Sequence, residues 1–252
     1  MTTIAVLGAT SGIAQACLRQ WTAQTGQARQ PLALRLVARD AQRLERTGAD
    51  LSARGAAVTV TPISADLSDA TSVSAAVDAI FADGPVDIVM IAFGTMPSQA
   101  EADASAQVGA DLLHVNGTLA LLAAHLVALR LEGQGHGALA VLGSVAGDRG
   151  RQSNYLYGAA KAMVATGVAG LQHRLASSPV TVTLVKPGPT ATPMTDHLRG
   201  GKLALADVDA VAAEIVAGVE AGRPVVYAPR RWRLIMAIIR AVPRRIFERT
   251  SL

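Results

Sequence analysis

Seven short apolar runs alternate with helical patterns along the whole of this 252-residue chain. Near-continuous apolar runs are typical of parallel strands buried on both faces, and right-handed crossovers place helices on each side of such a sheet. The pattern therefore predicts an α/β fold, a single-domain, doubly wound, Rossmann-like parallel sheet of about seven strands. The expected strands are 3–7, 32–37, 57–63, 86–92, 137–143, 180–185 and 224–228, and the expected helices are 12–24, 40–54, 69–82, 100–132, 152–177 and 207–221.

The composition excludes several classes of protein. A single cysteine, Cys17, rules out an internal disulfide and a cysteine-rich zinc site, and the five scattered histidines lack metal-ligand spacing, so we expect no metal. The N-terminus lacks the basic start and long apolar run of a signal peptide. The longest apolar stretch, LALLAAHLVAL, is too short to span a bilayer. We therefore expect a cytoplasmic protein.

The first strand runs directly into GATSGIA, residues 8–14, and a helix follows. Glycine permits a tight turn and lets the backbone approach a pyrophosphate, while the helix N-terminus offers free N–H groups to phosphates. The segment predicts a dinucleotide-binding turn; the alternative is a glycine-rich connection without a ligand. The candidate cofactor-binding residues here are Gly8, Thr10, Ser11, Gly12 and Ile13.

The second strand ends in LVARD, where NAD-preferring sites place a carboxylate for the ribose 2′-hydroxyl. Ala38 takes that place here, and Arg39 follows. A carboxylate repels a 2′-phosphate, whereas a guanidinium binds it through charge-assisted hydrogen bonds. The sequence thus favours NADP(H) over NAD(H), although Arg39 could also be a solvated helix-start residue. Asp40 either caps the next helix or reaches the ribose.

The segment SNYLYGAAKA, residues 153–162, holds two of the three tyrosines beside one lysine. Residues four apart share a helix face, so Tyr157 meets Lys161, while Tyr155, six residues from the lysine, lies on a diverging face. A tyrosine of pKa about 10 is a poor base at neutral pH, and a nearby ammonium favours the phenolate. Tyr157 is therefore the candidate general acid/base and Lys161 the group that lowers its pKa.

Two more residues complete a set that resembles the short-chain dehydrogenase/reductase family of classical type. Ser144 lies thirteen residues before Tyr157, and Asn116 stands on the preceding long helix. The resemblance covers nearly the whole chain. It implies an NADP(H)-dependent oxidoreductase that interconverts a ketone and a secondary alcohol, with Ser144 stabilising the reacting oxygen and Asn116 holding a water. The alternative is an NADP(H)-binding sensor or scaffold without turnover.

The same resemblance implies further cofactor contacts. Asp66 and Leu67 would contact the adenine, and Gly94 would follow the fourth strand, where IAFG replaces the family's Asn-Asn-Ala-Gly. Pro187, Gly188 and Thr192 would hold the nicotinamide carboxamide, with Thr190 as a competing candidate. Residues 193–206 would form a flap over the substrate. A homodimer or homotetramer through helices 100–132 and 152–177 is also implied.

The C-terminal segment is strongly basic. Residues 223–252 carry eight arginines and one glutamate, whereas the rest of the chain has a net charge of −3. We expect residues 1–229 to form the cofactor-binding and catalytic domain, and residues 230–252 to form a basic amphipathic tail. Its apolar stripe comprises Trp232, Ile235, Met236 and Ile239, at helical spacing.

Three roles are open for this tail. It packs on the body or in an oligomer, it lies on an anionic membrane surface through residues 230–247, or it binds nucleic acid. We do not expect nucleic acid, because no recognition module accompanies the arginines. The segments DRGRQSNYLYGAAKA, KPGPTATPM and VVYAPRRWRLIMAIIRAVPRRIF are similar to those of a subgroup that reduces a keto-sugar carried on a polyprenyl phosphate. This implies a lipid-linked carbonyl substrate and association with the cytoplasmic face of a membrane.

Overall fold

Seven strands form one sheet in a computed structural model that describes residues 1–27, 30–55, 57–198, 200 and 204–250. The sheet order is β3-β2-β1-β4-β5-β6-β7 and every pairing is parallel. The predicted doubly wound, single-domain α/β fold is confirmed, with every expected strand present. The strands are β1 Thr2–Leu7, β2 Leu32–Ala38, β3 Val58–Ser64, β4 Ile88–Ile91, β5 Ala138–Leu142, β6 Thr181–Pro187 and β7 Val225–Ala228.

Helices cover both faces of this sheet. Asp40, Asp69 and Asp207 cap α2, α3 and α8, as expected for aspartates that accept hydrogen bonds from first-turn N–H groups. The helices are α1 Gly12–Gln27, α2 Ala41–Ala53, α3 Ala70–Phe81, α4 Gln99–Ala104, α5 Ala106–Leu113, α6 Ala120–Gln134, α7 Tyr155–Arg174, α8 Val208–Glu220, α9 Arg231–Ala241 and α10 Arg244–Phe247.

Two apolar cores sandwich the sheet, and alternate residues of each central strand supply them. In β1, Ala5 and Leu7 enter the core formed with α3, α6 and α7, while Ile4 and Val6 enter the core formed with α1, α2 and α8. A strand buried on both faces must be apolar at every position, which explains the near-continuous apolar runs. Cys17 is part of the second core, where burial raises the pKa of its thiol to about 12.

The single helix expected over 100–132 is divided in two places. Ser105 adopts an extended conformation that ends α4, and its side chain caps α5. Between α5 and α6, residues His114–Leu119 form a π-helical turn that contains Asn116. By length and apolar composition, the stretch Ala106–Gln134 could cross a membrane, but half of it is buried inside the protein, as in a core helix.

The C-terminal helix α9 packs on the body of the protein. Trp232 and Met236 are buried against Val145, with Ile235 and Ile239 partly buried beside them. The predicted apolar stripe therefore faces the protein and not a membrane. Pro243 separates α9 from α10, since proline cannot continue the hydrogen bonding of a helix interior.

Candidate active site

A cleft of about 470 Å³ opens where the strands end at their carboxyl edge. In a doubly wound sheet this edge is where ligands bind, beside the point at which strand order reverses, here between β1 and β4. All the residues proposed from the sequence as catalytic or cofactor-binding line this cleft. They are Gly8, Thr10, Ser11, Gly12, Ile13, Arg39, Asp66, Leu67, Gly94, Asn116, Ser144, Tyr157, Lys161, Pro187, Gly188, Thr190 and Thr192.

The turn after β1 has the geometry of a backbone cradle. Gly8 has φ +91°, and a Cβ there would lie 2.4 Å from the backbone nitrogen of Phe93. A Cβ on Gly12 would lie 3.0 Å from Thr192, so this glycine lets the segment after β6 approach the turn. The turn leads into the first residues of α1, whose N–H groups and helix dipole favour a phosphate. These residues therefore fit the pyrophosphate of a dinucleotide.

Two arginines border the end of β2. Arg39 is 78% exposed, with its Nη1 4.0 Å from Asp66 Oδ1. Arg43, which the sequence reasoning missed, also lines the cleft and its Nη2 lies 3.4 Å from the carbonyl of Thr10. Asp40 Oδ1 accepts a hydrogen bond from the backbone N–H of Arg43 at 2.9 Å, so it caps α2 and the ribose alternative is not favoured.

Asn116 holds the loop after β4 in place. Its Nδ2 donates to the carbonyls of Thr95 and Leu112, at 2.9 and 3.0 Å, and its Oδ1 accepts from the N–H of Thr95 at 3.1 Å. A Cβ on Gly94 would lie 2.4 Å from Asn116 Oδ1, so this arrangement requires glycine there. The π-helical turn around Asn116 is of a kind often found at functional sites.

Tyr157, Ser144 and Lys161 meet on one wall of the cleft. Ser144 follows β5 and forms a hydrogen bond with the Tyr157 side chain, and its Oγ also accepts from the N–H of Ala146 at 3.1 Å. Lys161 is buried; its Nζ lies 5.7 Å from the centre of the Tyr157 ring and donates to the carbonyl of Leu142 at 3.0 Å. Tyr155 is 48% exposed and its hydroxyl donates to Asp103 at 3.0 Å.

The protonation of this pair differs from the expectation that Lys161 lowers the pKa of Tyr157. Burial raises the pKa of Tyr157 to about 12, although its hydrogen bond with Ser144 acts in the opposite direction. Burial also lowers the pKa of Lys161 to about 8. The low-polarity surroundings disfavour the charged form of each residue.

The segment after β6 is folded back on itself by threonines. Thr190 is buried and its hydroxyl donates to the carbonyl of Gly188 at 2.9 Å, which uses that proton within the protein. Thr192 Oγ1 pairs with Thr195 Oγ1 at 3.2 Å. Both hydroxyls therefore have a partner within the protein, and both threonines remain candidates for a contact with the cofactor carboxamide. Of the predicted flap over 193–206, residues 199 and 201–203 lie outside the described residues.

The loop between Ser144 and α7 is anchored to the C-terminal strands and to α9. Asp148, which is buried, forms an ion pair with Lys186 and accepts a hydrogen bond from the Tyr227 hydroxyl at 2.8 Å. The Arg149 guanidinium donates to the Val242 carbonyl at 2.7 Å and stacks 3.8 Å from the centre of the Phe247 ring. The loop between Ser144 and α7 and the basic tail therefore form one packed unit.

Besides Arg43, five polar residues line the cleft without having been predicted as site residues: Ser68, Thr95, Arg151, Asn154 and Thr195. Arg151 and Asn154 belong to the loop just before α7, and their proximity to Tyr157 in sequence was the available signal. The Thr195 hydroxyl accepts a hydrogen bond from the backbone N–H of Thr192 and donates one to the carbonyl of Thr190. Among the described residues, no cluster of His, Cys, Asp or Glu could hold a metal ion.

The chain is similar to known proteins over most of its length. The chain is 35% identical over 244 residues to an uncharacterised oxidoreductase from the mprA 5′ region of Streptomyces coelicolor, covering 97% of this chain and 94% of the relative. It is 31% identical over 216 residues to an uncharacterised oxidoreductase of Mycobacterium tuberculosis H37Rv, covering 85% and 86% of the two chains.

A solved structure and a family model match as well. The short-chain dehydrogenase from Sphingobium yanoikuyae in complex with NADPH superposes with a TM-score of 0.82 at 25% identity, covering 97% of each chain. The family model described as short chain dehydrogenase matches residues 2–202. The fold, the cleft and these matches together establish that the chain belongs to the short-chain dehydrogenase family and is an NAD(P)-dependent oxidoreductase.

Proposed function

We propose that this protein is an NADP(H)-dependent reductase that converts a ketone to a secondary alcohol, with Tyr157 as the proton donor. The observation that carries the proposal is the meeting of Ser144, Tyr157 and Lys161 on one wall of the cleft that also contains the glycine turn. NADPH, when bound, supplies the hydride. Asp66 and Leu67 would hold the adenine, the turn from Gly8 to Ile13 the pyrophosphate, and the segment Pro187–Thr192 the carboxamide.

Four side chains of the cleft have separate roles in the proposed reaction. Tyr157 donates its phenolic proton to the oxygen of the carbonyl, and Ser144 donates a hydrogen bond to the same oxygen as negative charge develops. Lys161 uses one N–H for the Leu142 carbonyl and has two left for the ribose hydroxyls of the cofactor. Both amide protons of Asn116 are already used, so it would hold a water only as an acceptor.

Tyr157 and Lys161 both carry a proton near pH 7. With a pKa of about 12, Tyr157 is neutral near pH 7 and can give a proton, whereas an oxidation would need the phenolate. Lys161, with a pKa of about 8, is still mainly an ammonium at pH 7 but titrates just above it. A positively charged nicotinamide ring would favour the phenolate after hydride transfer.

The preference for the phosphorylated cofactor rests on charge at the end of β2. Arg39 and Arg43 both border the cleft there, and Ala38 stands where a carboxylate would repel a 2′-phosphate. The neighbouring Asp66 carboxylate lies 4.0 Å from Arg39, and both side chains are largely exposed. A guanidinium pair matches the geometry and charge of a phosphate.

For the substrate, we propose a keto-sugar carried on a polyprenyl phosphate, as reduced by decaprenylphosphoryl-2-keto-ribose reductase, which the C-terminal segments resemble. Support comes from the attachment of α9 to the catalytic loop through Arg149. Although its inner stripe is buried, α9 and α10 expose Leu234, Ile238 and Ile246, at 68%, 59% and 59%, among many arginines. Such a surface suits the anionic cytoplasmic face of a membrane. In this proposal, residues 1–229 form the catalytic domain and residues 230–252 the membrane-contacting tail.

We also propose a homodimer or homotetramer formed through α6 and α7. Leu129 on α6 and Met163 on α7 are among the exposed large apolar side chains, at 39% and 43%. Burying such side chains in a helix-to-helix interface would remove apolar area from water. Light scattering on the purified protein measures the subunit count, and a monomer at micromolar concentration would contradict the assignment.

Replacing Tyr157 by Phe tests the catalytic role. We expect NADPH oxidation with a ketone to fall by roughly 10²–10⁴-fold, because the variant lacks the proton donor while its ring still fills the site. NADPH affinity, measured by cofactor fluorescence, should change little. Full activity in the variant would contradict the role of Tyr157. If the wild type binds NADPH but reduces none of a broad panel of ketones and keto-sugars, the sensor or scaffold alternative is favoured.

The buried lysine predicts how stability depends on pH. Lys161 has a pKa of about 8 in the folded protein, against 10.5 for an unperturbed lysine, so between these values the unfolded chain binds more protons and rising pH favours the folded state. From pH 7.5 to 9.5, the wild type should gain about 2 kcal/mol of unfolding free energy relative to Lys161→Met. Urea unfolding at fixed protein concentration measures both. Parallel pH profiles would show that Lys161 is not desolvated.

Removing the charge of Arg39 tests the cofactor preference. Because Arg39 is largely exposed and its attraction is screened, we expect Arg39→Ala to weaken NADPH binding by about 10-fold, and less at high salt, with little loss for NADH. Arg46, an exposed arginine of α2 that does not line the cleft, provides the matched control Arg46→Ala. Equal losses for both cofactors would refute a 2′-phosphate contact.

The tail predicts lipid binding that depends on its exposed apolar residues. Full-length protein should sediment with vesicles containing phosphatidylglycerol, and Leu234→Ser/Ile238→Ser should bind about 10-fold more weakly, since both side chains would leave water on binding. Val225→Ser removes an exposed apolar side chain of β7 and serves as the control. If the double variant sediments as well as the wild type, the tail is not the membrane contact.

A further inference from the structure

Arg151 is a cation in the cleft that lacks the partners expected for its degree of burial. It belongs to the loop between Ser144 and α7 and lines the same cleft as Tyr157. Its Nε is buried without a hydrogen-bond partner, and its Nη2 lies 3.8 Å from the sulfur of Met236, a weak acceptor. Arg151 as a whole is only partly buried, but a buried N–H without an acceptor is costly, so a missing acceptor for this side of the guanidinium is indicated.

The nearest acidic residue in sequence does not fill this role. Asp148 is committed to Lys186 and to the Tyr227 hydroxyl, and it acts on Arg151 only through its charge. Within the described part of the chain, Arg151 forms no ion pair. Burial lowers the pKa of Arg151, which is consistent with a guanidinium that has lost water without gaining a carboxylate.

Among the described residues, the cations with buried side chains have partners, whereas the partly buried Arg151 does not satisfy its Nε. Arg35 donates to the carbonyls of Ile80, Asp83 and Gly84, at distances of 2.6 to 2.8 Å. Lys186 has Asp148, and Lys161 has the carbonyl of Leu142. Since buried polar groups are normally satisfied, an unsatisfied one in a ligand cleft points to the ligand.

A second unsatisfied group lies three residues further along. Asn154 lines the same cleft, and its Oδ1 is buried with no hydrogen-bond partner. It stands at the N-cap of α7 but makes no side-chain capping bond, so its amide is not used to stabilise the helix. An amide oxygen in this position can accept a hydrogen bond from a hydroxyl.

We propose that Arg151 binds an anionic oxygen group of the carbonyl substrate, a phosphate or a carboxylate, and that Asn154 accepts a hydrogen bond from a hydroxyl of the same molecule. The substrate class is then a hydroxylated ketone that carries an anionic group. Neither residue takes part in the proton transfer; both determine which ketone is accepted. This inference rests on the proposed ketone reductase function and deepens it.

The test compares ketones that differ only in the anionic group. The first pair is dihydroxyacetone phosphate and dihydroxyacetone, and the second is levulinate and methyl levulinate. The assay follows NADPH oxidation, and the measured quantity is the ratio of kcat/KM within each pair. Any general loss of activity cancels in this ratio. We expect the wild type to prefer the anionic member of at least one pair by about 10-fold to about 100-fold. This is the preference that one charge-assisted hydrogen bond to the anion would give.

Variants of Arg151 decide whether that preference comes from this residue. Arg151→Met should bring the ratio close to one, and Arg151→Lys should keep part of it because the charge remains. Arg223→Met, which removes an exposed arginine outside the cleft, is the control and should keep the full ratio. A preference for the phosphate pair alone identifies a phosphate, and one for the levulinate pair alone identifies a carboxylate.

Binding measurements separate this inference from the proposed function. Calorimetric titration of dihydroxyacetone phosphate and of levulinate into the NADP⁺-bound Tyr157→Phe protein, with and without Arg151→Met, needs no turnover. If the wild type turns over no ketone but Arg151→Met weakens binding of either anion about 10-fold or more, the inference stands and the proposed function fails. If uncharged ketones are reduced and Arg151→Met changes neither the ratios nor the binding of either anion, the inference is wrong and the reductase function stands.

Discussion

Parallel pairing of all seven strands is the constraint on which the site depends. Each strand must be followed by a crossover, so all carboxyl ends meet at the same edge of the sheet. The residues that leave those ends are therefore brought together without being close in sequence. Gly8 follows β1, Arg39 follows β2, Gly94 comes after β4, and Ser144 and Gly188 come just after β5 and β6. The position of the cleft therefore follows from the sheet topology and not from any single residue.

The buried Asp148–Lys186 pair gives the catalytic loop its fixed position. An isolated buried charge would be unstable. The Asp148 carboxylate is stabilised by the Lys186 ammonium and by a hydrogen bond from the Tyr227 hydroxyl. The pair joins the turn after Ser144 to the last two strands. From there, Arg149 reaches the end of α9. A short series of polar contacts thereby connects the parts of the molecule that we propose to donate the proton, to hold the cofactor and to contact a membrane surface.

Periodic patterns in the sequence were sufficient to predict the strands and most of the helices, and the family resemblance supplied many of the residues that line the cleft. Neither indicated Arg43, Arg151 or Asn154. The helical spacing of Tyr157 and Lys161 correctly separated Tyr157 from Tyr155, because residues on one helix face are fixed by local geometry. Properties that depend on burial could not be predicted in the same way. The pKa values of Tyr157 and Lys161 follow from desolvation by distant segments, and the missing partner of Arg151 appears only when its whole neighbourhood is known. The π-helical turn at Asn116 has no period of its own that a sequence could display.

The contact between Gly188 and Trp232 gives the C-terminal helix a structural role in the cleft. A Cβ at position 188 would lie 2.0 Å from the Trp232 indole nitrogen, so the tryptophan ring rests directly on the backbone after β6. Helix α9 therefore supports the segment that we propose to hold the nicotinamide end of the cofactor. A truncation at residue 229 would remove Trp232 together with the arginines of the tail. A loss of activity in such a truncated protein could then come from weaker cofactor binding and not from the loss of lipid binding.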